Sequence, residues 1–251
     1  MGKKILHFVS NVISALIWKK TLRDKVRVMI RYPRTFEYKR FVRDYAHKHG
    51  ICDCGISSRV GRGCGNFVVI LGNKYVFKFP LFTDGREIAE REKRITDAFA
   101  KISPIKIPKM KIIPYKDIVI RRYDFAKGVL MSDVDPYAFW PHREHVAKQI
   151  ANFMYVIGES DPVELRDLKP TLNAKSKYLY GWFHGDIWQN FMLDPKTFDI
   201  RYFIDWEVTK FQSFMAGVCV ATRTWEKRGY MYMGITVLSE YSKLYLKKHK
   251  K

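Results

Sequence analysis

Residues 182–207 read WFHGDIWQNFMLDPKTFDIRYFIDWE, and they place Asp186, Asp194, Asp199, Asp205 and Glu207 among Phe, Trp, Ile, Leu and Met. A carboxylate removed from water is costly unless a cation or a set of donors meets it. The rest of the chain is basic, with 46 Lys and Arg against 25 Asp and Glu. Acids gathered in one apolar stretch of such a chain predict a site built to hold a cation. His184-Gly185-Asp186 and Asp205 both lie inside apolar runs, which raises the question of what that cation is.

The 251 residues are 47% hydrophobic, enough for one substantial core or two small lobes. The formal net charge of +21 concerns partners rather than fold, and it points to nucleic acid, an anionic membrane surface or a phosphorylated substrate. Cys52, Cys54, Cys64 and Cys219 are too few for a disulfide scaffold. Cys52-Asp53-Cys54 is not a CxxC pair with a zinc-site partner, so reduced thiols in a cytosolic protein are expected. No apolar run is long enough to span a membrane. Residues 5–18 follow Lys3 and Lys4 like a signal-peptide core, but Lys19 and Lys20 come next instead of a cleavage site. Leu6 stands where a myristoylation signal needs Ser or Thr.

Residues 1–50 form a distinct block. Ile5, Phe8, Val9, Val12, Ile13, Leu16 and Ile17 recur at helical spacing, with Lys3, Lys4, His7, Ser10, Asn11 and Ser14 on the other face. Thirteen Lys and Arg against three acids give this block a net +10. Such a basic amphipathic helix either lies on an anionic membrane surface or packs its stripe on the protein. From Val60 the pattern turns to strands: VGRGCGNFVVIL is a glycine-rich turn entering a strand, Gly72-Asn73 a tight turn and KYVFKFP the returning strand. Residues 86–101 read as a helix with Ile88, Glu92, Ile95 and Phe99 on its buried stripe, and 117–125 as another strand. Helices are expected over 142–157 and most of 215–248. The order predicts an α+β, two-lobed fold with a cleft: a basic helical segment over 1–50, a small β-rich lobe over 51–122 and a mostly helical lobe over 123–251.

Gly61, Gly63 and Gly65 lie between strands, which excludes turns that open a helix and suits a flap whose backbone N–H groups approach nucleotide phosphates. Lys78 alternates with Phe77 and Phe79, and a carboxylate on the buried stripe at Glu92 needs a cation such as Lys78. A Lys–Glu pair of this kind holds the lysine toward phosphates. Phosphoryl transfer asks for one carboxylate to orient an attacking hydroxyl and for oxygen ligands to Mg²⁺. Asp186 suits the first role, Asn190 and Asp205 the second.

HGDIWQN followed by FIDWE resembles the aminoglycoside phosphotransferase and choline kinase branch of the protein-kinase-like superfamily. The resemblance covers residues 60–207. It implies a two-lobed kinase-like fold, Asp186 as catalytic base, Asn190 and Asp205 as metal ligands, Lys78 and Glu92 as the phosphate-positioning pair, and ATP and Mg²⁺ as cofactors. Gly61, Gly63, Gly65 and Tyr123 complete the nucleotide-binding set. The family separates its Asp and Asn by four residues, whereas only Ile187, Trp188 and Gln189 intervene here. Either a tighter loop still brings Asn190 to the metal, or Gln189 replaces it. The surviving acids and lysine argue for a working enzyme over a degenerate one.

Asp205 is followed by Trp-Glu and only 46 residues, which disfavours a protein kinase. The charge disfavours a polycationic aminoglycoside acceptor. A small-molecule or glycolipid hydroxyl is expected, with a lipopolysaccharide core (heptose-type) sugar as the first choice and an enzyme peripheral on the cytoplasmic face of a membrane. Choline or another amino-alcohol, caged by Trp182, Trp188, Trp206 and Tyr123, is the alternative. A catalytically inactive module that uses its basic face on nucleic acid or membrane is a further one. No nucleic-acid-binding motif accompanies the charge.

Overall fold

The computed structural model describes residues 3–17, 26, 30, 33–60, 65–171 and 180–249. The chain forms two compact units, one of residues 1–86 and 111–125, the other of 87–110 and 126–251. The mixed α+β composition matches the expected fold class. Among the described residues no helix is long and apolar enough to cross a membrane.

The first unit is an antiparallel sheet under a helix. Strands β1 (Ile56–Val60), β2 (Asn66–Leu71), β3 (Tyr75–Pro80), β4 (Met110–Tyr115) and β5 (Ile118–Asp124) lie in the order β1-β2-β3-β5-β4. Val60 pairs with Phe67 and Leu71 with Tyr75, and Gly72-Asn73 falls at a hairpin connection. Gly61 and Gly63 lie outside the described residues. Helix α1 spans Lys3–Ala15, and α2 (Thr35–Lys48) covers the sheet. Thr35, Tyr38, Val42 and Ala46, one row of α2, are buried. Tyr38 stacks on Phe79 with ring centres 4.4 Å apart, and Phe41 meets Phe77 and Phe79 edge-on. Strand alternation therefore puts Phe77 and Phe79 under α2 and turns Lys78 to the opposite face.

One expectation is corrected in this unit, and one open alternative gains an observation. Cys52 and Cys54 form a disulfide, because the turn they share brings their Cα atoms to 5.3 Å, within bonding range. On α1 the polar Ser10 is buried, whereas Phe8, Val12, Ile13 and Leu16 are 70, 49, 42 and 80% exposed. Among the described stripe residues, Val9 and Ile17 are half-buried and the other four face outward.

The second unit is built from α3 (Arg86–Phe99, from Glu87 on), the short α4 (Pro136–Phe139), α5 (Arg143–Gly158), α6 (Phe214–Lys227) and α7 (Met233–His249). With them are β6 (Val129–Leu130), β7 (Tyr180–His184), β8 (Phe191–Leu193), β9 (Ile200–Phe203) and β10 (Thr209–Ser213). The ladders are β6-β8-β9 and β10-β7. Phe99, Phe153, Trp182, Phe191, Phe203, Trp206 and Trp225 form its aromatic core. On α3 the buried row begins at Ala89 and continues through Glu92, Ile95 and Phe99, while Ile88 is exposed, so the helix is rotated from the phase its isoleucines suggest.

Glu37 at the first turn of α2 sits 2.7 Å from Lys116 Nζ and 3.3 Å from Arg34 Nε, and Arg34 also holds Asp117. The Lys116 ammonium, with help from Arg34, brings the Glu37 carboxyl down to about 2 from an ordinary 4.5. A lowered carboxyl pKa stabilises the fold above pH 4.5, and the benefit disappears as pH falls to about 2. Urea titrations of Glu37→Gln against wild type should show a deficit at neutral pH that shrinks through this window. A deficit unchanged at pH 2 would mean that the clamp is not electrostatic.

Candidate active site

Two antiparallel ladders position the acids. In β8–β9, Phe191 pairs with Phe203, so Asn190 immediately precedes one strand where Ile204 and Asp205 immediately follow the other. In β7–β10, His184 pairs with Thr209, so Asp186 leaves one strand where the segment after Asp205 enters its partner. The two brackets set the loop 185–190 beside 204–208. Ile204 N–H donates to Asn190 O at 3.0 Å and joins them directly. A Cβ at Gly185 would stand 3.0 Å from Val208 O, so this approach admits no larger residue without movement.

The shortened loop closes on itself. Asn190 Nδ2 donates to Asp186 O at 3.1 Å and to Asp186 Oδ2 at 3.4 Å, and Gln189 Nε2 donates to the same carboxylate oxygen. Asn190 thus reaches Asp186 across three intervening residues, and Gln189 meets the same carboxylate. These bonds use the Asn190 amide nitrogen and leave its Oδ1 with no donor among the described residues. Asn190 is buried, Asp186 partly exposed.

Asp205 has φ 68° and ψ 54°, the left-handed region that a non-glycine residue adopts at a cost. Aspartate tolerates it better than most residues. His184 lies against the Phe203 and Trp206 rings and accepts the Asp186 N–H on Nδ1 at 3.2 Å, so the neutral ring carries its proton on Nε2. Burial lowers its pKa to about 4, against the opposing pull of Asp205 and Asp186. His184 is thus a neutral spacer between the two acidic segments.

The five carboxylates divide by role. Asp194 Oδ1 caps the N–H groups of Lys196 and Thr197 and the other oxygen pairs with Arg201; Asp199 takes Thr197 Oγ1 and His145 Nε2, both at 2.7 Å. These two fix the β8–β9 turn. Mg²⁺ takes oxygen ligands, usually one or two carboxylates completed by water and phosphate. The Asp205 carboxylate and the uncommitted Asn190 Oδ1 fit that requirement. Among the described residues no group of three or more His, Cys, Asp or Glu could hold a metal.

In the first unit Lys78 Nζ lies 5.2 Å from the Tyr123 ring centre, and Lys78 is in register with the buried Arg121 on β5. Gly65 is exposed at the entry to β2. Glu92 is fully buried in the second unit. Trp182 and Trp206 are core residues, which removes them from the choline cage weighed above.

Arg91 escaped the sequence reading. From α3 it donates to Glu207 O at 3.1 Å and to Thr209 O, so it holds the backbone after Asp205. Burial lowers its pKa. No local spacing announces a bond across more than a hundred residues.

No protein-family model matches the sequence, and no curated protein is similar to it. Solved structures do match. The GDP and kanamycin complex of APH(2")-IIia is 14% identical with TM-score 0.61, over 81% of this chain and 82% of that one. Macrolide 2'-phosphotransferase type I is 14% identical with TM-score 0.56, over 83% and 82%. The macrolide 2'-phosphotransferase MphH of Brachybacterium faecium is 13% identical with TM-score 0.59, over 81% and 82%. The chain has the protein-kinase-like fold of the aminoglycoside and macrolide phosphotransferases.

Removing the Arg91 tether should loosen 206–209. In Arg91→Met, amide exchange there should accelerate on the order of ten-fold, the scale of one charge-assisted hydrogen bond. Unchanged exchange by mass spectrometry would mean that the ladder alone holds the segment.

Proposed function

We propose that this chain is an ATP- and Mg²⁺-dependent phosphotransferase acting on a hydroxyl of a small molecule or glycolipid, most specifically a lipopolysaccharide core sugar. The observation that carries the reading is the Asp186 carboxylate, held by the Gln189 and Asn190 amides, on a loop bonded to the Asp205 segment. Phosphotransferases of this fold crystallised with ATP, ADP or GDP give independent support.

Asp186 orients the acceptor hydroxyl and takes its proton as the oxygen attacks the γ-phosphorus; the bond to the β-phosphate oxygen breaks and ADP leaves. Asn190 Oδ1 and the Asp205 carboxylate would hold Mg²⁺. When bound, the ion neutralises charge on the phosphate oxygens. By the resemblance to these kinases, Lys78, Tyr123, Gly61, Gly63 and Gly65 would bind the nucleotide. Glu92 is a buried carboxylate needed for nucleotide binding.

The antibiotics bound in neighbouring structures are kanamycin, gentamicin and streptomycin. A net charge of +21 favours an anionic acceptor instead. The exposed row Phe8, Val12 and Leu16, in a block of net +10, suits an interfacial helix on an anionic leaflet, where a lipid-anchored sugar would be found.

Magnesium-dependent transfer from ATP to extracted lipopolysaccharide is expected, with Asp186→Ala reducing kcat by roughly 10²- to 10⁴-fold. Absence of magnesium-dependent nucleotide binding would sink the kinase reading, and transfer to antibiotics or choline alone would overturn the acceptor. Phe8→Glu combined with Leu16→Glu should abolish cosedimentation with phosphatidylglycerol vesicles while leaving neutral vesicles unbound throughout. Equal binding by wild type and variant would remove α1 from the membrane.

A further inference from the structure

Arg228 is a cation that the phosphotransfer scheme above leaves unused. Its guanidinium carbon lies 5.3 Å from the centre of the Trp188 ring. Trp188 belongs to the loop of Asp186, two residues further on. That loop is anchored from below: Trp225 Nε1 donates to Trp188 O at 2.9 Å. Arg228 itself has a fixed backbone, its N–H bonding to Thr224 O and Trp225 O, both at 3.1 Å. The chain then turns through Gly229, at φ +85°, against Pro136.

Three other arginines of this unit are paired with carboxylates. Arg94 meets Asp167 at 2.5 Å, Arg166 meets Asp161 at 3.3 Å, and Arg201 pairs with Asp194. Arg228 is exposed and pairs with no carboxylate among the described residues. Stacking on an aromatic face orients a guanidinium without using its hydrogen-bond donors. The result is a preoriented fork beside the proposed catalytic loop, of the shape that takes phosphate or carboxylate in two parallel bonds. Trp140 and Tyr232, rings 6.1 Å apart and both half-exposed, lie on the two segments that meet at Gly229 and Pro136. Such rings offer flat faces of mixed character that suit a sugar ring.

We propose that Arg228, oriented by Trp188, binds an anionic group already present on the acceptor, so that the acceptor class is a sugar phosphate. The assignment deepens the phosphotransferase reading and rests on it for the word acceptor. The anion site itself is testable separately. Arg228 is a specificity residue; it does not exchange the proton.

The test is a titration of full-length protein with glucose 1-phosphate, inorganic phosphate and glucose, followed by tryptophan fluorescence. Wild type should respond saturably to the two phosphates and not to glucose, and Trp188→Phe should remove most of the signal. Arg228→Ala should weaken glucose 1-phosphate binding by roughly ten-fold or more, and Arg228→Lys should recover only part, because an ammonium lacks the planar fork. Circular dichroism on the same samples reports folding. No response in wild type, an equal response to glucose, or wild-type affinity in Arg228→Ala would each overturn the proposal. Nucleotide binding by wild type is read in parallel. Its absence together with intact phosphate binding would refute the kinase while leaving the anion site standing. Its presence together with failed phosphate binding would do the reverse.

Discussion

The backbone bond from Ile204 N–H to Asn190 O is short-range in space and long-range in consequence. Each group lies one residue outside a strand of the β8–β9 pair, where a ladder would otherwise end and leave polar atoms unsatisfied in an apolar core. Continuing the ladder by one bond fixes the distance between the Asp186 loop and the Asp205 segment. The aromatic core around Phe191, Phe203 and Trp206 supplies the rigidity beneath it. Three acid-rich turns can then exist in a basic chain without being scattered across its surface.

Burial sorts the charged groups of this region. Asp194 and Asp199 satisfy themselves on local N–H groups and nearby basic side chains, so they belong to the turn they stabilise. His184, deeply buried, is held neutral and contributes shape and one acceptor. Asp186 is met by amides that carry no charge, so its own negative charge is not cancelled within the loop.

Much of this site could be read from the sequence because its geometry is local. Asp186 and Asn190 lie four residues apart in one turn, and Asp205 ends a strand whose alternation is plain. Lys78 could be assigned to the face away from Phe77 and Phe79 for the same reason. The phase of α3 could not, because Ile88 and Ala89 are equivalent to a periodicity argument and only packing chooses between them. Arg91 and Trp225 were missed because their partners are backbone carbonyls reached through the fold. The Cys52–Cys54 bond was missed because spacing rules for cysteine are built on longer loops. The stripe of α1 was legible, but its outward orientation was not, since amphipathicity alone does not say which face meets the protein.

The left-handed backbone at Asp205 narrows what can stand there. Asparagine shares aspartate's tolerance for this conformation, while branched and bulky residues do not. Charge and backbone geometry can therefore be separated at this one position by a single-atom exchange. An alanine there would confound them, since any lost function could come from either cause. The same restriction means that natural variation at this point would be confined to a few small polar residues and glycine, even if the metal were never bound.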